Sequence, residues 1–289
     1  MSDSNLSAQS GIRGRIDAHT ALYAVLGNPV AHSLSPVMHN AAFARTGHNG
    51  VYVAFAVSDP GAAVAGLRAL GIAGASVTIP FKTEVIGHLD QLDPVAAAIG
   101  AVNTIVNRAG RLTGYNTDGS GAVRALTGAT PVKDQRIAVI GAGGAACAIS
   151  HALAEKGARV VIVNRSAARG EALARRVGAD FVPLADFNGG RCEVLINTTP
   201  VGMVPDIDGI PVDEKVLRPG MVVMDVVYNP QKTRLLYAAG RIGCRTVSGV
   251  EMFVCQGAAQ FELWTDRPAP VDMMRAVVTD ALQNVKNQP

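Results

Sequence analysis

The sequence predicts an α/β protein with two lobes, one built on a mostly parallel sheet and the other on a doubly wound sheet. Short apolar runs alternate with segments of helical spacing along most of the 289 residues. Hydrophobic residues make up 48% of the chain and aromatic residues only 4%, which suits α/β layers better than an aromatic-rich β-sandwich. A chain of this length is long enough to form two domains.

The first third of the chain indicates one βα unit after another. Ser35 followed by Pro36 predicts a helix start, because Ser caps a helix and Pro fits its first turn. The predicted strands are Leu22–Leu26, Val51–Val57 and Ala75–Ile79, and the predicted helices are Pro36–Arg45, Gly61–Leu70 and Asp93–Ile99. A hairpin follows, with strands Ala101–Asn107 and Leu112–Tyr115.

The second lobe begins after a predicted helix near Thr117–Gly128, which we expect Asp118 to cap. Strands alternate with helices from there, as in a doubly wound sheet. The predicted strands are Arg136–Ile140, Arg159–Val163, Val194–Asn197 and Met221–Val227. One predicted helix follows the first strand and ends at Lys156, and a second spans Ser166–Val177. Two more are predicted after Gly249, at Val250–Trp264 and Val271–Val285.

Charge, hydropathy and cysteine usage exclude several classes of protein. The net charge is only +3 and no basic run is longer than the pair Arg175–Arg176, so nucleic-acid binding is not expected. The uncharged stretch Ile137–Ser150 contains three glycines and is too short to cross a bilayer, and the polar first dozen residues lack the apolar core of a secretory signal. The four cysteines are scattered without metal-ligand spacing, which predicts no metal site and a reducing cytoplasm.

A glycine-rich turn joins a predicted strand to a predicted helix, as a dinucleotide-binding loop requires. The loop is Gly141-Ala142-Gly143-Gly144-Ala145-Ala146. Gly141 permits the tight turn, Gly143 permits close approach of a pyrophosphate to the helix N-terminus, and Ala146 permits close packing of helix on strand. We therefore predict a Rossmann-type nucleotide site.

The end of the following strand predicts which dinucleotide binds. An acidic residue at this point would accept hydrogen bonds from the ribose 2′-hydroxyl of NAD, but the chain has Asn164-Arg165-Ser166. A guanidinium can bind a 2′-phosphate with two hydrogen bonds, and no carboxylate is present to repel it. The sequence therefore predicts NADP, although Ser166 also suits a helix cap.

Five polar residues are candidates for the chemistry. Lys82 follows a buried strand, and the carboxyl ends of such strands face the ligand crevice. Asp118 lies where the first lobe ends, and Asn103 interrupts an apolar run, so it must be hydrogen-bonded if buried. Ser33 and Ser35 stand near a helix N-terminus, where paired hydroxyls suit a carboxylate.

Together these segments resemble the shikimate dehydrogenase family, over nearly the whole chain from about Thr20. The resemblance is carried by nine stretches in the family's order, namely Gly27–Pro36, Ser76–Lys82, Gly100–Thr104, Tyr115–Gly119, Gly141–Ala145, Asn164–Ser166, Asn197–Met203, Asp225–Pro230 and Gly249–Gln256. It implies a two-domain enzyme that reduces 3-dehydroshikimate to shikimate with NADPH in aromatic amino acid (chorismate) biosynthesis. The implied domains are a tail at residues 1–19, a substrate-binding domain at 20–117 plus 250–289, and an NADP-binding domain at 118–249.

The resemblance also implies residue roles. Lys82 and Asp118 would work in proton transfer, and Ser33 and Ser35 would bind the substrate carboxylate. The other substrate contacts implied are Thr78, Asn103, Tyr228 and Gln256. The implied cofactor contacts are Gly141, Ala142, Gly143, Gly144, Ala145, Asn164, Arg165, Ser166, Thr198, Met203, Val226, Gly249 and Met252. The implied partner is a small molecule, with neither nucleic acid nor membrane, and the expected assembly is a monomer or a homodimer.

Some positions depart from the family, and other functions compete. Ser76 stands where bacterial members commonly have Asn, which puts the affinity for substrate in question but not the activity. Phe253 replaces the commoner Leu, and Glu251 adds a charge near the helix at the hinge between the lobes, for which the sequence offers no explanation. A quinate/shikimate dehydrogenase with broader substrate use is one alternative, and a non-catalytic NADP-sensing protein is another, although the latter predicts loss of Lys82 or Asp118. A methylene-tetrahydrofolate-type dehydrogenase shares the lobed architecture but gains nothing from the paired serines.

Overall fold

A computed structural model describes residues 16–285, and most of the expected tail at residues 1–19 lies outside this range. Each lobe contains one six-stranded sheet flanked by helices. The two lobes are consecutive along the chain as far as residue 247, after which two helices complete the described part. The predicted two-lobed α/β fold is therefore confirmed.

The first lobe has a mixed sheet in the strand order β2-β1-β3-β5-β6-β4. Strand β1 pairs in parallel with both β2 and β3, whereas the β5–β6 hairpin is antiparallel and joins the sheet beside β3. The strands are β1 (Ala21–Gly27), β2 (Gly50–Ala56), β3 (Gly74–Val77), β4 (Gln91–Leu92), β5 (Thr104–Arg108) and β6 (Arg111–Tyr115). The helices are α1 (Ser35–Thr46), α2 (Pro60–Ala69) and α3 (Pro94–Ile99).

Helix α4 (Asp118–Thr127) leads into the second lobe, whose sheet is parallel throughout with the order β12-β11-β10-β7-β8-β9. Its central strands are buried on both faces, as expected for a sheet covered by helices on both sides. The strands are β7 (Arg136–Ile140), β8 (Arg159–Asn164), β9 (Asp180–Pro183), β10 (Val194–Asn197), β11 (Val222–Asp225) and β12 (Arg245–Val247), and the helices are α5 (Gly144–Glu155), α6 (Ala167–Val177) and α7 (Arg234–Ile242).

Helices α8 (Gly249–Thr265) and α9 (Val271–Val285) follow the last strand. Their apolar side chains share a core with α1 and with strands β1 and β2 of the first lobe. Helix α4 packs tightly against both α5 and α8: a Cβ on Gly119 would lie 2.4 Å from the carbonyl oxygen of Ala148, and one on Gly121 would lie 2.7 Å from Gln256. This packing holds the start of α4 at the junction of the two lobes.

The structure corrects three predicted helix caps. Helix α1 begins at Ser35, one residue before the predicted start at Pro36; its N-cap is Leu34, and the Leu34 side chain makes no capping hydrogen bond. Asp118 is the first residue of α4, and its N-cap is Thr117. Ser166 occupies the N-cap position of α6, but its side chain makes no capping hydrogen bond. In the first two cases the hydroxyl or carboxylate lies in the cleft between the lobes, as described below.

Among the strands and α-helices of residues 16–285, three short strands and one helix were not predicted, namely β4, β9, β12 and α7. Strands β4, β9 and β12 each have four residues or fewer and lie at a sheet edge, where pairing with one neighbour fixes them and the sequence carries little periodicity. The predicted strands Ala75–Ile79, Ala101–Asn107 and Met221–Val227 extend past the true elements, because Thr78, Asn103 and Val226 belong to loops at the cleft. Within residues 16–285, no helix combines the length and the apolar character needed to cross a membrane.

Candidate active site

A cleft of about 490 Å³ lies between the two lobes. All eight residues predicted to be catalytic or to bind substrate line it, namely Ser33, Ser35, Thr78, Lys82, Asn103, Asp118, Tyr228 and Gln256. They come from positions scattered over more than 220 residues of sequence, and the fold brings them together. Thr78 follows β3 and Lys82 lies four residues further on, so both stand at the carboxyl end of a strand.

An ammonium and a carboxylate meet at the centre of this cleft. Lys82 Nζ donates a hydrogen bond to Asp118 Oδ2 at 2.6 Å, and Asn103 Nδ2 donates to Asp118 Oδ1 at 2.7 Å. The two charged side chains are 26% and 11% exposed, so solvent reaches the lysine more readily than the aspartate. Each carboxylate oxygen therefore has a protein partner, while the ammonium keeps hydrogen-bonding capacity for a ligand.

Two hydrogen-bond donors, one on Thr117 and one on Thr104, fix the orientation of the Asn103 side-chain amide. The backbone N–H of Thr117 donates to Asn103 Oδ1 at 2.8 Å, and the hydroxyl of Thr104 donates to the same oxygen at 2.7 Å. Since Oδ1 accepts both bonds, the amino group must face Asp118. The buried Asn103 thus holds the carboxylate in place, as expected for a polar residue within an apolar run.

The two serines occupy the loop before α1. The hydroxyl of Ser33 accepts a hydrogen bond from the backbone N–H of Ser35 at 3.3 Å, and Ser35 is only 6% exposed. The N–H of Ser35 already bonds Ser33, Pro36 has no N–H, and the N–H of Met38 bonds the carbonyl oxygen of Leu34, so Val37 is the residue of the first turn whose N–H can meet a ligand beside the two hydroxyls. A carboxylate would be stabilised there by the hydroxyls and by the positive end of the helix.

Tyr228 and Gln256 complete the opposite wall. The Tyr228 ring lies 4.8 Å from the ring of Phe253, and burial raises the pKa of its phenol, so Tyr228 remains a hydrogen-bond donor. Gln256 Nε2 donates to the carbonyl oxygen of Phe253 at 2.9 Å. The second amide hydrogen and the carbonyl oxygen of Gln256 remain for a ligand.

Two residues beside this wall, Tyr52 and Gln260, were not recognised from the sequence, and both bond Ser76. Tyr52 OH donates to Ser76 Oγ at 2.7 Å, and Ser76 Oγ donates to Gln260 Oε1 at 2.8 Å. Ser76 and Gln260 both line the cleft. The spacing of four residues between Gln256 and Gln260 was an available signal, because it places both amides on one face of α8 in an otherwise apolar segment. His39, also missed, stacks on Tyr52 at 4.6 Å, and burial lowers its pKa to about 3.

The predicted cofactor residues lie along the carboxyl edge of the second sheet. The register pairs Ile140 with Val163 and with Asn197, so Gly141, Asn164 and Thr198 follow neighbouring strand ends. A Cβ on Gly141, whose φ is +120°, would meet Thr198 Oγ1 at 2.6 Å, so only glycine fits the turn. Val226 lies beyond the end of the next strand, β11.

The loop leaves room where a dinucleotide phosphate would bind. Added Cβ atoms on Gly143 and Gly144 would meet nothing within 4 Å, so the N-terminus of α5 is bare. Arg165 is exposed at the end of β8, so its guanidinium is accessible to a ligand. The residues present thus fit a dinucleotide with an additional phosphate near β8.

The cofactor residues divide into two groups. Five of them reach the cleft itself, namely Ala145, Met203, Val226, Gly249 and Met252. The others, Gly141–Gly144, Asn164–Ser166 and Thr198, lie further along the sheet edge and do not line the cleft. This division is what a long dinucleotide would require, with one end in the cleft and the other over the second strand.

A buried carboxylate supports this edge and was not recognised from the sequence. Asp225, at the end of β11, is 0% exposed and accepts hydrogen bonds from Thr233 Oγ1 at 2.7 Å, Asn197 Nδ2 at 2.9 Å and the backbone N–H of Val227 at 3.0 Å. Burial raises the pKa of Asp225 to about 6, although these hydrogen bonds act to lower it. No group of three or more potential metal ligands occurs within residues 16–285.

Two lobes, a glycine loop at a helix N-terminus and an ammonium–carboxylate couple in the cleft define the class of nicotinamide-dependent α/β oxidoreductases. The chain matches three family models: the shikimate dehydrogenase substrate binding domain over residues 25–105, shikimate / quinate 5-dehydrogenase over residues 124–199, and the shikimate 5'-dehydrogenase C-terminal domain over residues 249–279. The chain belongs to the shikimate dehydrogenase family.

Individual relatives agree over nearly the full length. The chain is 49% identical over 284 residues to a shikimate dehydrogenase (NADP(+)) of Moorella thermoacetica, covering 93% of this chain and 96% of the relative. A crystal structure of a shikimate dehydrogenase in complex with NADP+ has a TM-score of 0.90 and 41% identity, covering 93% of this chain and 98% of that one. The Thermus thermophilus shikimate 5-dehydrogenase in complex with NADP(H) and shikimate has a TM-score of 0.85 and 37% identity, covering 91% and 100%.

Proposed function

We propose that this protein is an NADP-dependent shikimate dehydrogenase, which interconverts 3-dehydroshikimate and shikimate in the biosynthesis of aromatic amino acids. The observation that carries the proposal is the 2.6 Å contact between Lys82 and Asp118 in the cleft. It lies between the two-serine loop on one side and the cofactor residues Met203 and Met252 on the other. The family match supports the same activity.

The chain's own residues supply the proton and the alignment. Bound NADPH supplies the hydride. The Lys82 ammonium donates a proton to the ketone oxygen as negative charge develops there, and accepts it back in the reverse direction. Asp118 orients the ammonium and accepts a hydrogen bond from a neighbouring ring hydroxyl, while Asn103 keeps Asp118 from rotating.

Substrate orientation comes from the two ends of the cleft. Ser33 and Ser35 bind the substrate carboxylate at the start of α1, far from the reacting carbon. Thr78, Tyr228 and Gln256 then contact the ring hydroxyls from the walls. Holding both ends of a rigid ring places its ketone carbon beside the nicotinamide side of the cleft, and this alignment lowers the entropic part of the barrier.

The choice of NADP over NAD rests on the strand end at Asn164–Ser166. Arg165 is exposed there, and this strand end has no acidic residue that would accept a hydrogen bond from the ribose 2′-hydroxyl of NAD. A guanidinium binds a phosphate with charge-assisted hydrogen bonds. The quinate-accepting and the non-catalytic alternatives are not favoured by the comparisons.

Initial rates measured in parallel with shikimate or quinate, each with NADP⁺ or NAD⁺, test the proposal. We expect shikimate with NADP⁺ to give the highest kcat/KM of the four pairs. A folded protein that stays inert with that pair would refute the activity. Faster turnover of quinate would instead favour the broader alternative.

Domain division, assembly and location form a second part of the proposal. We place the substrate-binding domain at residues 20–117 plus 250–289 and the NADP-binding domain at 118–249, since α8 and α9 share a core with β1 and β2. We propose a cytoplasmic enzyme that is a monomer or a homodimer. Light scattering on a sizing column measures the assembly, and a trimer or larger species would contradict it.

A further inference from the structure

A chain of buried hydrogen bonds runs along the inner wall of the cleft. Tyr52 OH, Ser76 Oγ and Gln260 Oε1 are linked at 2.7 and 2.8 Å. Gln260 Nε2 then bonds the carbonyl oxygen of Asn103 at 3.1 Å and the hydroxyl of Thr104 at 3.0 Å. Tyr52, Ser76 and Gln260 are respectively 1%, 6% and 2% exposed, so water does not compete for these bonds.

The direction of every bond in this chain follows from one group that can only accept. A backbone carbonyl accepts hydrogen bonds, so the part of Gln260 that faces the Asn103 carbonyl must be its amino group. The amide oxygen of Gln260 therefore faces Ser76, and the Ser76 hydroxyl must donate its single hydrogen bond to that oxygen. Tyr52 must then be the donor to Ser76, and burial keeps Tyr52 protonated by raising the pKa of its phenol.

This leaves Ser76 with one unused lone pair and no unused proton. A serine hydroxyl has one hydrogen and two lone pairs, and Tyr52 occupies one of the pairs. Because Ser76 lines the cleft, the remaining lone pair is its one means of bonding a ligand. Ser76 at this place can accept a hydrogen bond but cannot donate one.

We infer that Tyr52 and Gln260 are positioning residues that make Ser76 an obligate acceptor, so that this corner of the cleft selects a ligand hydroxyl that donates. The inference rests on the proposed function, because the ligand is then a hydroxyl of shikimate other than the one that reacts. A substituent without a proton at that ring position meets a lone pair and is rejected. Selection here depends on the direction of a hydrogen bond as well as on size.

The test compares wild type with Gln260→Met, which frees the proton of Ser76. The probes are shikimate and two analogues, each with one of the non-reacting ring hydroxyls replaced by fluorine, which cannot donate. The measured quantity is kcat/KM for shikimate divided by kcat/KM for each analogue. For one of the two analogues we expect this ratio to be well above one in wild type and to be about three- to tenfold lower in Gln260→Met, which is the size of one neutral hydrogen bond. The ratio for the other analogue should be the same in both proteins. If the ratio for each analogue is the same in wild type and in Gln260→Met, the inference is overturned.

Tyr52→Phe provides a second variant that keeps the buried ring and its stacking on His39. It should raise the KM for shikimate about two- to fivefold with little change in kcat, because the Ser76 hydroxyl is no longer held in one orientation. In a Ser76→Ala background the same substitution should have no further effect on KM. An undiminished effect in that background would show that Tyr52 acts through the core and not through Ser76, which also overturns the inference.

The wild-type control separates this inference from the proposed function. If wild type oxidises shikimate with NADP⁺ but the fluorine ratios and the Ser76→Ala cycle show no coupling, only the role of Tyr52 and Gln260 fails. If folded wild type is inert with shikimate and NADP⁺, the proposed function fails and this inference fails with it.

Discussion

Replacing Asp225 by Asn should change how the stability of the protein depends on pH. The carboxylate is fully buried at the end of β11 and accepts three hydrogen bonds, from Thr233, Asn197 and the backbone of Val227. Asparagine has the same shape and can accept two of these bonds, and the Thr233 hydroxyl can rotate to accept from its amino group. The fold should therefore survive, while the ionisable group is removed.

The magnitude follows from the difference in proton affinity between the two states. The pKa of Asp225 is about 6 in the folded protein, against 3.8 for an unperturbed carboxyl, so the folded state binds the proton about a hundredfold more tightly. Below about pH 4 the group is protonated in both states. Between about pH 4 and 6 the folded state holds more protons than the unfolded state, so the free energy of unfolding falls as pH rises, by on the order of 3 kcal/mol in total.

Urea unfolding of wild type and Asp225→Asn, measured at intervals from pH 4 to 8, gives the result. The stability of the variant relative to wild type should increase by roughly 2–3 kcal/mol between pH 4 and 7 and then stay constant. His39 acts in the opposite direction in both proteins, because burial lowers its pKa to about 3, and its contribution cancels in the difference. Asp208→Asn is a suitable control, since that side chain is 88% exposed. A difference between Asp225→Asn and wild type that does not vary with pH would refute the reasoning.

Three further substitutions test the site. Lys82→Ala should lower kcat by about 10²- to 10⁴-fold with a smaller change in KM for shikimate, because the proton donor paired with Asp118 is lost; near-normal turnover would remove Lys82 from the mechanism. Arg165→Ala should raise the KM for NADP⁺ by about tenfold or more and leave that for NAD⁺ unchanged, and equal changes would show that Arg165 does not contact the phosphate. Gly141→Ala should weaken NADP⁺ binding and lower the free energy of unfolding by about 1–3 kcal/mol, because φ is +120° and the new Cβ would clash with Thr198. A variant whose melting temperature equals that of wild type, both with and without NADP⁺, would contradict this.

Much of the site was accessible from sequence because its chemistry lies at strand ends. Lys82, Gly141 and Arg165 each follow an apolar run that predicts a strand, and parallel strands bring their carboxyl ends to one edge. The roles of Tyr228, Gln256 and Met252, in contrast, came from family resemblance, since their local sequence gives no sign of a ligand. The structure places all three in the cleft.

Helix caps show why local patterns failed elsewhere. Ser35 and Asp118 have the residue types that cap helices, and propensity alone favours that role. In the structure Asp118 bonds Lys82 and Asn103 instead, because partners from distant segments satisfy its carboxylate with an opposite charge and an amide. Such partners, 36 and 15 residues away, do not appear in any local window.

The sequence by itself determined the two-lobed α/β fold, the glycine loop and the polar candidates that follow predicted strands, such as Lys82 and Arg165, because hydrophobic period and turn chemistry are local properties. The tertiary structure alone decided which way the hydrogen bonds of Ser76 and Asn103 point and how strongly Asp225 holds its proton. Those properties depend on burial and on partners that the chain supplies from far apart in sequence, such as Gln260, 184 residues after Ser76.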